Sequence, residues 1–557
     1  MRTSIIRATC LVPLALVLAG CQNKQILDVP NLVNPDVARA YSTPAGVEGV
    51  IAATFQQVWS GTMSCTDCIR TQSMNLALED YSELNNYEMN LRALIPRAPI
   101  INDRGNTSSA ANNSVFSNLS KLTRTAVNGM QAVDRLVKAN AAGNALGSKA
   151  QDARAKAFGY MSLGWALGGL ALVYDSAAIV VPSTPSDVVP GLSAYPDVMK
   201  AALQMLDSAI AVATSADATN GANGFPLPVT WINGNAMSAA TFVQFVHTTK
   251  ARFRAGVART VAERAAVDWP SVIADVQAGL PSDFVLAYSV SAGWTGNNAY
   301  DTGQGLAPGW SGLPALMYGM ADTSGGYANF IATPFGTRDG AFLIHTPDLR
   351  FPPGNTRTDQ TNNSPLPLPA HLYFRNRPPG EDVPESVPAG FSYYDTRRFY
   401  GIRLNSGNGN YTAINKIEMD MLAAEGYIRA GNFASATPLI NASRARNGLP
   451  AIGTITSASQ SIAGGAGCVP QVPQGPGFTT VACGNIMEAM KWEKRMETSF
   501  SCMFICWWSD SRGWGDLPMN SGLQWPVPNQ ELDARNHLIY SYGGGLASSA
   551  PKGNYGW

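Results

Sequence analysis

Charge is scarce in this chain. Asp, Glu, Lys and Arg make up 14% of its 557 residues, against about 25% in an average soluble protein. Lys plus Arg equal Asp plus Glu at 39 each, and no basic run stands out. A balanced chain of this kind has no electrostatic footprint for nucleic acid. Histidine is rarer still. His247, His345, His371 and His537 are the only four, and none has ligand spacing to another. Gly-x-Ser-x-Gly, His-Glu-x-x-His and the phosphate loop are all missing. A carboxylate pair for glycoside cleavage, Glu79 or Asp80 with Asp301 for instance, has the right chemistry. Any large chain offers such pairs by chance, so the residues read as a protein that is not an enzyme.

Long apolar runs are equally few. The stretch Ala157–Tyr174 holds eighteen residues without a charge, near the length of a spanning helix. It also carries Gly159, Ser162, Gly164, Gly168 and Gly169. A helix that is small or apolar all round belongs at the centre of a large helical protein, where its glycines let neighbours approach. The other run, Leu11–Leu18, is too short to cross a bilayer. It follows Arg2 and Arg7 and closes with Leu18-Ala19-Gly20-Cys21. Residues 1–20 therefore read as a secretory signal of the bacterial lipoprotein kind, with Cys21 taking the lipid and anchoring the chain to a membrane.

Cysteine is sparse too. Beyond Cys10 and Cys21 there are Cys65 and Cys68, Cys468 and Cys483, and Cys502 and Cys506. An exported protein favours disulfides, and closeness along the chain pairs them locally. The rival is a four-thiolate metal site built from Cys65, Cys68, Cys502 and Cys506. That site needs two distant segments to meet in an oxidising compartment. No metal or cofactor is expected.

What is abundant is helical spacing. Helices are expected over Pro44–Trp59, Val115–Ala139, Gln151–Tyr174, Pro196–Thr214 and Ala239–Ala265, the last with Arg and Ala on its exposed side. Asp268-Trp269-Pro270 opens a short helix ending near Gly279. Ser60 to Arg104 reads as loop. From Leu286 to Asn410 periodicity fails amid Gly, Pro, Asn and aromatic residues, which points to short strands and binding loops. Helical pairing resumes at Thr412: Ile417, Met421, Ala424 and Ile428 share one face, Gly431-Asn432 turns, and Phe433–Arg446 returns. The unit spans about 34 residues, the tetratricopeptide period. Such pairs bury their apolar faces only by stacking.

Four stretches resemble the SusD/RagB family of outer-membrane nutrient-binding lipoproteins. They are Leu27-Asp28-Val29 with Asn34-Pro35-Asp36 and Thr43-Pro44; Asp268-Trp269 after an Arg/Ala-rich helix; Ala423-Ala424-Glu425-Gly426-Tyr427 with Ser443 to Pro450; and Glu493-Lys494-Arg495-Met496-Glu497, Asp510-Ser511-Arg512-Gly513 and Trp525 to Leu532. The run Ser499 to Cys506 departs from the family, which has a Glu-Gly pair there. The resemblance implies a mainly α, tetratricopeptide-like scaffold over about 36–285 and 411–540 within a domain of 21–557. Long irregular loops and few short strands complete it, with a ligand-facing insertion over about 286–410. It also implies a lipid-anchored outer-membrane protein facing the cell exterior, without catalytic residues. Its partner would be a TonB-dependent transporter of the SusC type, and its cargo an oligosaccharide or peptide.

A sugar site needs exposed rings for CH faces and amides or guanidinium groups for hydroxyls. Loop residues are the candidates: Trp294, Asn297, Asn298, Tyr300 and Trp310 in one irregular stretch, with Asn86 and Tyr87 in the early loop. The alternative to binding is a helical-repeat scaffold for other envelope proteins, for which these aromatics pack loops.

Overall fold

In the computed structural model, residues 40–64, 69–85, 88–219, 223–296, 311–338, 342–382, 392–462 and 464–557 are described. The scaffold is laid out around one helix that solvent barely reaches. Helices α1 (Pro44–Ala52), α2 (Thr54–Thr62), α3 (Ile69–Leu76) and α4 (Met89–Ala93) precede the long α5 (Ser109–Ala139) and the central α6 (Lys149–Val173). Asp152 turns the chain between α5 and α6 by accepting from the N–H groups of Ala145 and Leu146, both at 2.8 Å. Ser148 caps α6 on Gln151 N–H at 3.1 Å. The α6 glycines do what their spacing suggests. A Cβ on Gly168 would lie 2.0 Å from the Phe253 ring, and one on Gly164 would lie 2.7 Å from Leu206. Among the described residues, no helix is long and apolar enough to cross a membrane.

Strands β1 (Ser176–Ala178) and β2 (Leu192–Ala194) lead into α7 (Tyr195–Ala213), followed by α8 (Ala239–Gly256), α9 (Val261–Ala265), α10 (Trp269–Gln277) and β3 (Phe284–Tyr288). The middle of the chain holds β4 (Phe374–Asn376), β5 (Tyr394–Thr396) and unlabelled short helices such as Gly326–Ala332 and Arg357–Asn362. Then come β6 (Gly409–Ile414), α11 (Lys416–Arg429), α12 (Phe433–Arg446), β7 (Gln471–Gln474), β8 (Thr480–Cys483), α13 (Ile486–Thr498) and α14 (Cys506–Trp514). The named strands form four antiparallel ribbons: β1–β2, β3–β6, β4–β5 and β7–β8.

The α11–α12 pair matches its sequence pattern. Met421, Ala424 and Ile428 are buried against α12 and α13, and Ile417 packs beside them. Gly431 makes the turn at φ +72°, and Asn432 caps α12 on Ser435 N–H at 3.1 Å. The mainly α scaffold with few short strands is therefore as expected.

Several expectations need correction. Ser60–Arg104 is not all loop, since α3 and α4 lie within it. All eight residues of α3 are buried, so the segment carries no apolar-polar period to read. Helical pairing starts at Lys416, because Thr412 belongs to β6. The first helix divides at Ala53, where the Thr54 hydroxyl donates to the Ile51 carbonyl at 2.7 Å and occupies the ladder locally. The Ala239–Ala265 helix also divides, with Thr260 capping a new helix on Glu263 N–H at 3.2 Å.

The largest correction concerns its arginines, which are not on an exposed side. Arg252 forks onto Glu418 of α11 at 2.8 and 2.6 Å. Arg259 donates to the carbonyls of Ala171 and Tyr174, at 2.8 and 2.7 Å, and so caps the C-terminus of α6. Arg264 forks onto Glu425 at 2.9 and 2.5 Å and reaches Asp510 of α14 at 3.1 Å. The Glu493–Glu497 and Asp510–Arg512 motifs belong to the same buried system. Lys494 pairs with Asp510 at 2.7 Å and Arg495 with Asp516 at 2.6 Å, while Arg512 donates to the Gly256 carbonyl at 2.9 Å. Many of the few charges this chain has go inward, and bidentate geometry offsets their desolvation.

Cys468, just before β7, is bonded to Cys483 at the end of β8, and Cys502 to Cys506 at the start of α14. The four-thiolate alternative thereby loses two of its ligands. Cys21, Cys65 and Cys68 lie outside the described residues.

Candidate ligand-binding face

Two loops carry the residues singled out in the sequence, and the structure anchors the ends of both in one region. After β3 the chain makes a tight turn closed by Ser289 and Trp294, whose backbones exchange hydrogen bonds at 2.8 and 2.9 Å. Thr295 is then pinned to the α2 segment. Its carbonyl accepts from Trp59 Nε1 at 2.8 Å and from the Ser64 hydroxyl at 2.5 Å. Gln56 holds the Ala292 carbonyl at 2.8 Å. The far end of the same loop is fixed just as firmly. Gly312 and Tyr81 exchange backbone hydrogen bonds, both at 3.0 Å, and the Ser311 hydroxyl donates to Asp80 at 2.6 Å. Ser392 secures Leu313 through its carbonyl at 2.6 Å. Tyr81 in turn leads directly toward Asn86 and Tyr87. The late loop thus leaves from the α2 segment and returns at the root of the early one.

Asn86, Tyr87, Asn297, Asn298, Tyr300 and Trp310 lie outside the described residues. Trp294 is described, and its assignment as a platform is corrected. It is 3% exposed, with its ring centroid 6.4 Å from Phe55 and 6.3 Å from Trp59. Phe55 contacts Phe158, Trp165 and Phe245 as well. Trp294 is the outermost ring of a core aromatic cluster, with no face left for a sugar. An irregular segment hides this from the sequence, because a lone loop tryptophan has no periodicity to place it.

The carboxylates beside this face are structural too. Glu79 and Asp80 are 6% and 1% exposed. Glu79 accepts from Phe500 N–H at 2.8 Å, and Asp301 lies outside the described residues. Burial pushes the Asp80 carboxyl well above the usual carboxylate range, against the pull of Ser311 and the neighbouring backbone. Its Oδ2 has no hydrogen-bond partner among the described residues. A carboxyl whose folded pKa is raised stabilises the fold most while protonated, and stability falls as pH rises through the folded value. Asp80→Asn removes the charge and keeps the shape. It should raise stability by about 1–3 kcal/mol at pH 8, the cost of ionising a carboxyl buried with no cation beside it, and by much less at pH 5. Urea midpoints of both proteins at the two pH values test this, and an equal gap at both would refute it. Among the described residues no cluster of three metal-ligating side chains occurs.

Missed by sequence reasoning were Gln56, Trp59, Ser64 and Asp80, which hold the loop ends. Gln56, a polar residue within a helical run, offered a signal, whereas Ser64 and Asp80 lie outside the helices and offered none.

No family model and no curated protein matches the sequence. Solved structures do resemble it. A SusD homolog from Parabacteroides distasonis is 13% identical with 84% of each chain covered and a TM-score of 0.51. A SusD superfamily protein from the same species is 8% identical, covering 89% of this chain and 98% of that one, with a TM-score of 0.52. A SusD-like carbohydrate-binding protein from Bacteroides fragilis is 11% identical over 93% of this chain and 95% of that one, with a TM-score of 0.51. At these identities the likeness speaks to architecture, and the chain has the SusD-like fold.

Proposed function

We propose that this protein binds nutrient oligomers, glycans foremost and peptides second, at the face where its two loops are rooted. It delivers them to a partner TonB-dependent outer-membrane transporter of the SusC type. The lipid on Cys21 holds it at the outer membrane, facing outward, and no catalysis is involved. The observation that carries the reading is the Tyr81–Gly312 bridge within a SusD-like fold. It ties the chain just before the early loop, at Tyr81, to the chain just after the late one, at Gly312. Aromatic and amide residues from two distant segments are then available to one ligand. The carbohydrate-binding neighbour supports sugars over peptides.

Affinity electrophoresis of the purified protein through a panel of polysaccharides, with peptides tested by calorimetry, examines this. Retention by at least one glycan is expected. Trp310→Ala or Tyr87→Ala should weaken it about 3- to 10-fold each, the worth of one aromatic contact. Silence across the panel sinks the binding reading in favour of a pure scaffold. Shortened products after incubation sink the non-catalytic one. Delivery is tested by whether a barrel transporter copurifies from outer membranes.

A further inference from the structure

A cavity of about 450 Å³ shares no lining residue with the loop face. Stretches far apart in sequence build it. The turn of the β7–β8 ribbon supplies Phe478 and Thr479, residues 333–338 supply Phe335 and Arg338, and the last stretch supplies Lys552, Tyr555 and Trp557. Phe478 is held with effort. Its φ of +53° lies in the left-handed region, between Gly475 and Gly477 at +84° and +88° on the one side and β8 on the other. That backbone is costly for a bulky side chain, and such residues gather at functional sites. Its ring lies against the Gly556 backbone, where a Cβ would come within 2.3 Å of it. Cys468–Cys483 closes the base of the same ribbon.

The polar groups around these rings share a sign. Lys552 is exposed, stands 5.3 Å from the Phe478 ring centroid, and forms no ion pair among the described residues. Arg338 stands 5.3 Å from the Phe335 centroid, steadied by the Thr333 and Ile331 carbonyls at 2.9 and 2.8 Å. No lining residue is Asp or Glu. Tyr555 presents only its ring, because its hydroxyl donates to Glu488 at 2.6 Å. Trp557 differs. It is 3% exposed, and its Nε1–H has no acceptor among the described residues. Trp165, Trp514 and Trp525 leave an Nε1–H without an acceptor in the same way, so the polar character of the cavity rests on Lys552 and Arg338.

We infer that this cavity is a second ligand site, for an acidic sugar residue of the uronic acid class. The CH face of the sugar packs on Phe478 and Phe335, and its carboxylate meets Lys552. The sugar half of the assignment rests on the proposed glycan binding. The preference for a carboxylate rests on the cavity alone.

Calorimetry of the purified protein with a galacturonate trimer, a neutral galactose trimer and phenylacetate tests it. The acidic trimer should bind at least 10-fold more tightly than the neutral one. Lys552→Gln, at an exposed position, should weaken the acidic trimer about 5- to 10-fold and leave the neutral one unchanged. Melting curves confirm the fold of the variant. Trp310→Ala should leave the acidic trimer unaffected, which separates this site from the loop face. Equal binding of the two trimers, or acidic binding indifferent to Lys552→Gln, overturns the proposal. Phenylacetate outcompeting galacturonate overturns the sugar assignment. Acidic binding that persists when the glycan panel is silent sinks the loop-face reading and leaves this one standing.

Discussion

Arg350→Met should cost the fold about 3–5 kcal/mol at pH 8, the usual penalty for stripping one partner from a buried ion system. Arg350 comes from the irregular middle of the chain and is fully buried. It forks onto Asp348 at 2.8 and 2.7 Å and reaches Glu493 and Glu497 of α13 at 3.2 and 3.3 Å. All three carboxylates have fully buried side chains. Their own environments differ. Burial pushes the Glu497 carboxyl up, but Arg350, Arg398 and Arg446 outweigh it and hold it below the usual range, with the Tyr373 hydroxyl donating at 2.9 Å. Glu493 has fewer helpers, has Asp348 close by, and carries an Oε1 without a hydrogen bond among the described residues. Burial therefore wins there and its carboxyl is raised.

In the parent, the depressed Glu497 contributes stability at neutral pH that is lost as pH falls through its folded value. Without the guanidinium that order reverses, because a buried unpaired carboxylate favours its proton. The gap between Arg350→Met and parent should accordingly narrow from pH 8 to pH 5. Denaturant titrations at both pH values decide the matter. A variant within 1 kcal/mol of the parent at pH 8 would show that the ion system is dispensable.

Trp294→Ala should lose about 3–5 kcal/mol, as expected for a large ring removed from a core. The ring closes the cluster of Phe55, Trp59, Phe158, Trp165 and Phe245, so a void opens beside α2 and α6. Any ligand retained by the folded fraction should be retained as well as before, since no face of Trp294 is free. Thermal melts paired with affinity electrophoresis separate the two effects. Weakened retention at unchanged stability would return Trp294 to the binding surface.

These two residues also mark where the sequence was legible. Helices with apolar spacing or an unbroken apolar run were readable: Met421, Ala424 and Ile428 repeat at the helical period, and Ala157–Tyr174 runs without a charge. Buried elements made of polar residues were not. Helix α3 offers Arg70, Thr71, Gln72, Ser73 and Asn75 to the interior, and polar residues in no periodic order look like loop. Arg252, Arg259 and Arg264 misled for a related reason. Charge defaults to the surface unless partners are known, and their partners lie in α6, α11 and α14, far away in sequence. For the candidate site, irregular sequence singled out two loops, while the burial of Trp294 needed tertiary contacts to see. Trp557 and Phe478 gave no signal at all, since their meeting depends on a turn and a terminal stretch that nothing local connects.

The inward placement of so many scarce charges has a consequence beyond stability. With many arginines and carboxylates spent on one another inside the fold and the two signs equal in number, the molecule has no net charge to project, and the field of its surface charges is cut off within about 10 Å at 0.1 M salt. Encounter with an uncharged cargo should then proceed at the same pace in fresh and in saline water, governed by collision and fit rather than by long-range guidance.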